Sequence, residues 1–511
     1  MDEHEVLRLR RELYGRLPVA AVGYSADGRH VNFAGPVELG LRVGDLAVVE
    51  RVDDSSVVVQ VHDAETVERE GAQVDLATEH GGQFDSMRAR LRLRAVNGDA
   101  VVLGRLAGET YEPVASVDAF GECAIRSATA AEVGVIATAT DAGMDTMEIG
   151  SWRQAPTVPA RLRSKGFARH TFMCGQSGSG KTYTTGVLFE RLLAATTLPI
   201  VVLDPNSDHV LLGDMRDHDD PSPAGQRYRA VAGDVRTVRS RGHDASYTLC
   251  ADFSDLPIGI QAHLLRLHPL RDLEGYAALR QVRARLTAPY SVADVASAAA
   301  ADVETAPLAL RIENLGIDEW TLWRRPGEIS LSSVGLRDER CVVVDLGSLP
   351  EPDSRTAVAF VMLANRWSHR HERRPSLIAI DEAHNILPAV TDDALLAATN
   401  DLGVLIAGEG RKFGLHLFVA TQRPDKVHPN VVSQCDNLVL MRMNGQADVE
   451  DLVGVFSHVP AGLLRQASGF GLGQALVAGP ISPLPQLVQI GNRLTAEGGA
   501  DVPTTWTSPP T

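Results

Sequence analysis

One octapeptide constrains this chain more than any other stretch: Gly175-Gln176-Ser177-Gly178-Ser179-Gly180-Lys181-Thr182. Its form, G-x-x-x-x-G-K-[ST], is that of a phosphate-binding P-loop. Glycines let successive backbone N–H groups turn inward and make an anion-sized nest. Lys181 can then reach β- and γ-phosphates, and the Thr182 hydroxyl can ligate Mg²⁺. Such a loop needs a strand before it and a helix after it. Thr171-Phe172-Met173-Cys174 is a short, mostly apolar run that predicts the strand. Thr182 to Ala195 predicts the helix, with Leu188 and Leu192 one turn apart on an apolar face. The positive N-terminus of that helix would point at the phosphates. The expected ligand is ATP with Mg²⁺, held by Gly175 to Thr182 and the adjoining Tyr183.

Composition supports the assignment of Lys181. Only four of the 49 basic residues are lysines: Lys165, Lys181, Lys412 and Lys426. A chain that otherwise uses arginine places a compact ammonium where phosphates would need one. The net charge of −16 argues against a surface broadly coated in nucleic acid, but it permits a small basic channel. Five scattered cysteines without CxxC spacing read as reduced, buried thiols. The first residues, MDEHEVLRLRREL, are charged, and no apolar stretch reaches membrane-spanning length. The expectation is a cytoplasmic protein with no membrane association.

At 511 residues the length suggests about three domains. Residues 18–125 read as short β-strands of a small barrel, with Val31 to Phe33, Leu46 to Glu50 and Val57 to Val61 among them. Asp27-Gly28 and Asn97-Gly98 read as hairpin turns, and 64–84 reads as a polar loop. Arg88, Arg90, Arg92 and Arg94 alternate along a strand, as a solvated face or as a partner or DNA contact. A linker is expected over 126–165. An α/β core follows over 166–208 and resumes over 336–480. Between them, 209–335 reads as a helical insertion, with an acidic loop at Asp214 to Asp220 and an Ala-rich helix opened by Ser291. Residues 1–17 form an N-terminal segment and 481–511 an extension with a Pro/Thr-rich end. The strand Ile200 to Leu203 ends in Asp204, which could hold a metal-bound water or cap a loop.

The second half of an ATP site lies about 200 residues beyond the P-loop. Ser376 to Ile380 is an apolar run ending in Asp381-Glu382, which is Walker B form. Asp381 would hold Mg²⁺ through water, and Glu382 would orient and polarise the attacking water. Leu415 to Thr421 is another apolar strand; Gln422 at its end could sense the γ-phosphate or cap the strand. Arg411, within Gly410-Arg411-Lys412-Phe413-Gly414, is the candidate for the extra transition-state cation that phosphoryl transfer needs.

Together these blocks resemble the HerA family of hexameric DNA translocases, within the HerA–FtsK group of P-loop ATPases. The resemblance runs through Asp381-Glu382-Ala383-His384-Asn385, the Glu409 to Gly414 block, Thr421-Gln422-Arg423-Pro424, Ser433-Gln434-Cys435-Asp436 and Arg442. It implies a RecA-like P-loop ATPase core preceded by a small β-barrel of the HAS type. It also implies a homohexamer around double-stranded DNA, with Arg411 acting as a finger on the neighbouring subunit. Partners implied by the family are a NurA-like nuclease in DNA end resection and repair, or a sirtuin-like NAD hydrolase or another nuclease in anti-phage defence. The chain departs from the family's D-P-x-G-E-Y at Asp204-Pro205-Asn206-Ser207-Asp208-His209, which leaves the role of Asp208 open.

Asp-Glu-Ala-His also occurs in DEAH-box helicases, but their other blocks are not apparent here. An ATP-stabilised scaffold that organises a partner effector enzyme is the alternative function. A conjugation-type coupling ATPase is disfavoured by the missing membrane anchor. Arg366 to Arg374 and Arg161 to Arg169 are candidate DNA contacts or solvated basic surface.

Overall fold

A computed structural model describes residues 21–51, 55–80, 83–325, 328–331 and 339–499, and for 69–93 the backbone alone. The expected N-terminal segment and the Pro/Thr-rich end lie outside the described residues. The chain divides into two units. Of the described residues, one comprises those up to Met144 with Ser151–Ala160 and Val459–Gln466; the other holds those in Asp145–Gly150, Arg161–His458 and from Ala467 to Gly499.

The first unit is a closed antiparallel barrel. Its strands are β1 (Val22–Ser25), β2 (His30–Pro36), β3 (Leu46–Glu50), β4 (Ser56–His80), β5 (Gln83–Ala107), β6 (Thr110–Pro113) and β7 (Phe120–Ser127). They follow the order β2-β1-β7-β3-β4-β5-β6, and a further β2–β5 pairing closes six of them into a ring. Val31, Phe33, Val49, Val57, Val59, Val102 and Ile125 fill the interior. Asp27-Gly28 is a turn as expected: Gly28 has φ +70°, and Asp27 accepts from the backbone N–H groups of Arg29 and His30 at 2.8 Å each.

Two expectations are corrected here. Asn97-Gly98 is not a turn but lies inside β5, where Gly98 is paired with Phe33 on one side and Ala64 on the other. A Cβ at Gly98 would come within 2.3 Å of the Asp63 carbonyl oxygen and 2.4 Å of the Phe33 ring. Glycine is there because the barrel closes tightly, not because the chain reverses. The stretch 64–84 is not a loop either. Most of it is the outer half of β4, in a long ribbon with β5 whose register reaches His80 opposite Gln83. The β4 half of this ribbon is polar in sequence, and polar composition alone does not tell a strand from a loop. Within it Arg94 donates to Glu68 at 2.9 Å, both well exposed, in keeping with a solvated face; the side chains of Arg88, Arg90 and Arg92 lie outside the described residues.

After the barrel comes the helix Ala130–Asp141, opened by a capping box between Thr129 and Glu132. A 12-stranded sheet then forms from β8 (Thr146–Trp152), β9 (Pro159–Arg163), β10 (His170–Cys174), β11 (Ile200–Asp204), β12 (Val235–Arg239), β13 (Tyr247–Thr248), β14 (Cys341–Asp345), β15 (Ser376–Ile380), β16 (Leu415–Thr421), β17 (Cys435–Leu440), β18 (Gln474–Gly479) and β19 (Ser482–Ile490). Its order is β13-β12-β14-β11-β15-β16-β10-β17-β18-β19-β8-β9. The run from β13 to β17 is parallel, whereas β17, β18 and β19 pair antiparallel.

Strands β10, β11, β14, β15 and β16 are buried at every position, which is why they read in sequence as unbroken apolar runs. Phe189 of the P-loop helix, Lys181–Ala195, meets Phe418 of β16 edge-on at 5.3 Å between ring centroids. His170 opens β10 as a structural histidine: its ring bridges the Ala407 carbonyl at 3.0 Å and the Leu417 N–H at 2.8 Å.

The 209–335 stretch carries the expected helices, Ile258–Leu264, Leu273–Arg285, Val292–Ala300 and Ala306–Leu315, with Ser291 capping the third. It also contributes β12 and β13 to the sheet's edge. All five cysteines are buried and unbridged.

Candidate nucleotide-binding and hydrolysis site

Ligands of an open parallel sheet bind beyond the C-terminal ends of its strands. There β10 runs straight into Gly175, and the P-loop is stitched to both neighbouring strands. Gly175 N–H donates to the Thr421 carbonyl at 3.3 Å, and Gln176 N–H to the Arg442 carbonyl at 3.0 Å. Gly178 (φ +72°) and Gly180 (φ +92°) take the left-handed conformation that lets the loop fold around an anion. From the outside, Arg442 Nη2 donates to the Gly178 carbonyl at 3.0 Å. The helix begins at Lys181 directly after Gly180. The loop lines a cavity of about 540 Å³, shared with Tyr183, Gln422 and Glu497.

The two halves predicted from sequence meet. Lys181 is buried, with its Nζ 2.6 Å from Asp381 Oδ1 and 3.1 Å from Glu382 Oε1. Burial opposes charge on Lys181, but the two carboxylates outweigh it and raise its pKa. Burial likewise opposes charge on Asp381; Lys181 and His209 overcome it and hold the carboxyl well below the usual range. Glu382 sits at φ +41°, a sparsely populated backbone conformation for a side chain of this kind. Its Oε1 accepts from Gln422 Nε2 at 2.6 Å, so the side chain that ends β16 reaches the Walker B carboxylate. His384 approaches the other oxygen, Oε2, at 3.4 Å.

Thr182 and Asp381 supply hard oxygen donors, and Asp381 Oδ2 is buried with no hydrogen-bond partner among the described residues. Magnesium favours such a setting, taking one or two protein oxygens and completing its shell from phosphates and water. The donor set therefore fits Mg²⁺.

Asp204 caps its loop, accepting from the N–H groups of Asn206 (3.3 Å), Asp208 (3.0 Å) and His209 (2.7 Å). Ser207 takes φ +63°, at the position where the family pattern has glycine. That strained turn delivers Asp208 to Thr182, with 3.4 Å between Oδ2 and Oγ1. Burial first, then the charges of Asp204 and Asp381, push the Asp208 pKa up to about 6. His209 is fully buried, with Nε2 3.5 Å from Asp381 Oδ2. Neither Asp208 nor His209 is legible from residue type alone; proximity to Thr182 reveals the first and proximity to Asp381 the second.

Arg411 is not at this site. It precedes β16, whereas the P-loop follows β10, and the two strands run parallel with Thr421 beside Cys174. The seven residues of β16 therefore separate Arg411 from the P-loop edge by roughly 20 Å. At the far edge Arg411 Nη1 donates to Asp436 at 2.7 Å, and Arg169 reaches the same oxygen at 3.4 Å. Part of the nearby basic cluster is already engaged: Arg370 lies 4.3 Å over the Trp367 ring, and Arg374 pairs with Glu372 at 3.3 Å.

Residues 147–286 match the family model described as the central domain of helicase HerA. The chain is 22% identical over 409 residues to the DNA double-strand break repair helicase HerA of Pyrococcus furiosus, covering 70% of this chain and 72% of that protein. It is 30% identical over 129 residues to a probable DNA double-strand break repair helicase HerA of Methanocaldococcus jannaschii, a quarter of each chain. Among solved structures it is similar to VirB4 of Thermoanaerobacter pseudethanolicus, at 16% identity and a TM-score of 0.48, over 68% of this chain and 97% of that one. No described helix is long and apolar enough to cross a membrane. A P-loop and two Walker-type acids are assembled at one sheet edge, the P-loop lies inside the stretch that matches the HerA central domain, and the chain is an ATP-hydrolysing enzyme similar to the HerA helicases.

Proposed function

We propose that the chain is a double-stranded DNA translocase that works as a hexameric ring and completes its ATP sites between subunits. One observation carries the reading: Lys181, Asp381, Glu382 and Gln422 gather at one edge of the sheet, while Arg411 stands at the opposite edge. A finger so placed cannot serve its own P-loop across the length of β16. It can serve the next copy in a head-to-tail contact, and such contacts make a ring where the rotation closes. The DNA substrate is supported by the relatives, which are named as DNA double-strand break repair helicases.

In this scheme Lys181 exchanges its carboxylate partners for the β- and γ-phosphates. Thr182 and Asp381 would hold Mg²⁺, which would neutralise charge on the phosphates when bound. Glu382, held by Gln422, orients the attacking water, and Arg411 of the adjoining subunit faces the γ-phosphate. A NurA-like nuclease in DNA repair, or a sirtuin-like NAD hydrolase or another nuclease in anti-phage defence, is the proposed partner class.

The test combines ATPase assays with and without duplex DNA and electron microscopy of the purified chain. Duplex-stimulated turnover by six-membered rings is expected. DNA-insensitive turnover, together with full partner activity on a Glu382→Gln ring, would instead identify an ATP-stabilised scaffold.

A further inference from the structure

Beyond β19 the chain crosses the P-loop helix, and the crossing is built from fully buried polar groups. Glu190, halfway along that helix, has no exposure. Its carboxylate accepts from Leu494 N–H at 2.9 Å, Thr495 N–H at 2.8 Å and the Thr495 hydroxyl at 2.6 Å. Arg493 is equally enclosed and stands 3.9 Å from Glu190 Oε1. Its guanidinium donates to the Thr495 hydroxyl at 3.2 Å, the Ala496 carbonyl at 3.2 Å and the Thr182 carbonyl at 3.3 Å. Its backbone N–H donates to the Tyr183 hydroxyl at 2.8 Å.

The helix makes room for this. A Cβ at Gly186 would lie 2.5 Å from the Arg493 guanidinium. Glycine in a helix interior costs about 1 kcal/mol relative to alanine, so this position is shaped by its neighbour rather than by helix propensity. The same segment is tied to the loop after β11: Arg216 N–H donates to the Leu494 carbonyl at 2.8 Å, and Ala496 N–H to the Asp214 carbonyl at 2.9 Å.

A buried ion pair is weak evidence for a purely stabilising role, because well-packed apolar residues often do as well. What distinguishes this one is where it reaches. Thr182 and Tyr183 belong to the first turn of the P-loop helix, and the residues flanking the crossing, Gln489, Ile490 and Glu497, line the nucleotide cavity. The P-loop and Gln422 account for the phosphate end of that cavity, which leaves this flank to the nucleoside.

We infer that Gln489–Glu497 is the nucleoside-side wall of the ATP site, and that Arg493, locked by Glu190, is the positioning residue that ties this wall to the P-loop helix. The inference rests on the P-loop reading and adds a segment more than 300 residues away in sequence. Without the tie, the wall moves off while the P-loop keeps its own bonds to β16 and β17.

The test uses the full chain with two probes in the absence of turnover: a fluorescent ATP analogue and inorganic tripolyphosphate, which has no nucleoside. Arg493→Lys keeps the charge beside Glu190 but loses the fork that reaches Thr182 and Ala496. It should weaken the ATP analogue on the order of tenfold, the scale of losing charge-assisted hydrogen bonds, with tripolyphosphate held within about twofold. In steady-state assays KM should rise while kcat stays within about threefold, as expected for lost uniform binding. Tyr183→Phe, which removes one acceptor and little volume, should move the ATP analogue in the same direction by a smaller factor; it decides the matter if Arg493→Lys does not fold. Unchanged ATP affinity in the folded variants, or equal weakening of both probes, would overturn the inference. Lys181→Ala separates the two layers, since it should lose both probes. If it keeps both, the P-loop reading fails and takes this inference with it.

Discussion

The two edges of the central sheet, one holding the P-loop and the other Arg411, are built in opposite ways. At the P-loop edge Lys181, Asp381 and Glu382 are 5%, 2% and 3% exposed and hold one another in a dry cluster. At the far edge the Arg411 and Asp436 side chains are 31% and 43% exposed. Charges buried together depend on each other for stability, because removing one strands the rest without water. A half-exposed pair is screened and contributes at most about 1 kcal/mol. The P-loop edge is therefore fixed by folding, whereas the far edge is free to give its cation to another partner. This asymmetry is what the proposed completion of the site by a second copy requires.

The comparison can be broken most sharply at Lys181. Lys181→Ala should abolish turnover and ATP binding, and it should lower the melting temperature because Asp381 and Glu382 are left side by side. Near wild-type ATPase would sink the P-loop assignment. Arg411→Ala should leave melting unchanged and still bind ATP, yet lose about 10³- to 10⁵-fold in rate, the range for a finger supplied in trans. Mixing it with Lys181→Ala sharpens the point. A subunit with intact Lys181 can then sit beside one with intact Arg411, so some activity should return. No recovery in confirmed mixed rings would count against the trans role, unless every site in the ring must fire. Glu382→Gln should slow turnover at least ~10²-fold while ATP stays bound, as expected for a lost water-activating group. Loss of nucleotide binding would instead show that Glu382 holds the metal or the fold.

What the sequence reveals, and what it hides, follows from the range of the interactions involved. The P-loop is legible because eight consecutive residues make it, and β10, β15 and β16 are legible because burial on both faces leaves unbroken apolar runs. The meeting of Lys181 with Asp381, 200 residues apart, is inferred from motif grammar and then realised at 2.6 Å. Gly98 misleads because glycine serves both turns and close approaches, and only the neighbouring strands β2 and β4 decide between them. The β4–β5 ribbon misleads because its β4 half is polar in composition, which loops and strands share. The link between Glu190 and Thr495 spans 305 residues and leaves no local mark except Gly186, an unexplained glycine inside a helix. Arg411 is legible as a cation between glycines; its position at the wrong edge for its own phosphate needs the strand order.

The smallest effect is expected at Asp436, and its direction matters more than its size. In the lone subunit Arg411 is parked on Asp436, which Arg169 also approaches. If Arg411 serves a neighbour's γ-phosphate as proposed, it must leave that carboxylate, and the lost pair adds to the barrier. A half-exposed pair is worth up to about 1 kcal/mol, which corresponds to roughly fivefold in rate. Asp436→Asn keeps the size and polarity of the side chain but removes its charge. It should therefore raise ATP turnover by a factor of up to about five, with the gain shrinking at high salt, where the wild-type pair is already screened. Thermal stability should hardly change, in contrast to Lys181→Ala at the buried edge. A loss of activity of about 10²-fold or more would reverse the assignment: Asp436 would then aim Arg411 at the neighbouring site instead of holding it back, and the far edge would be as rigidly built as the near one.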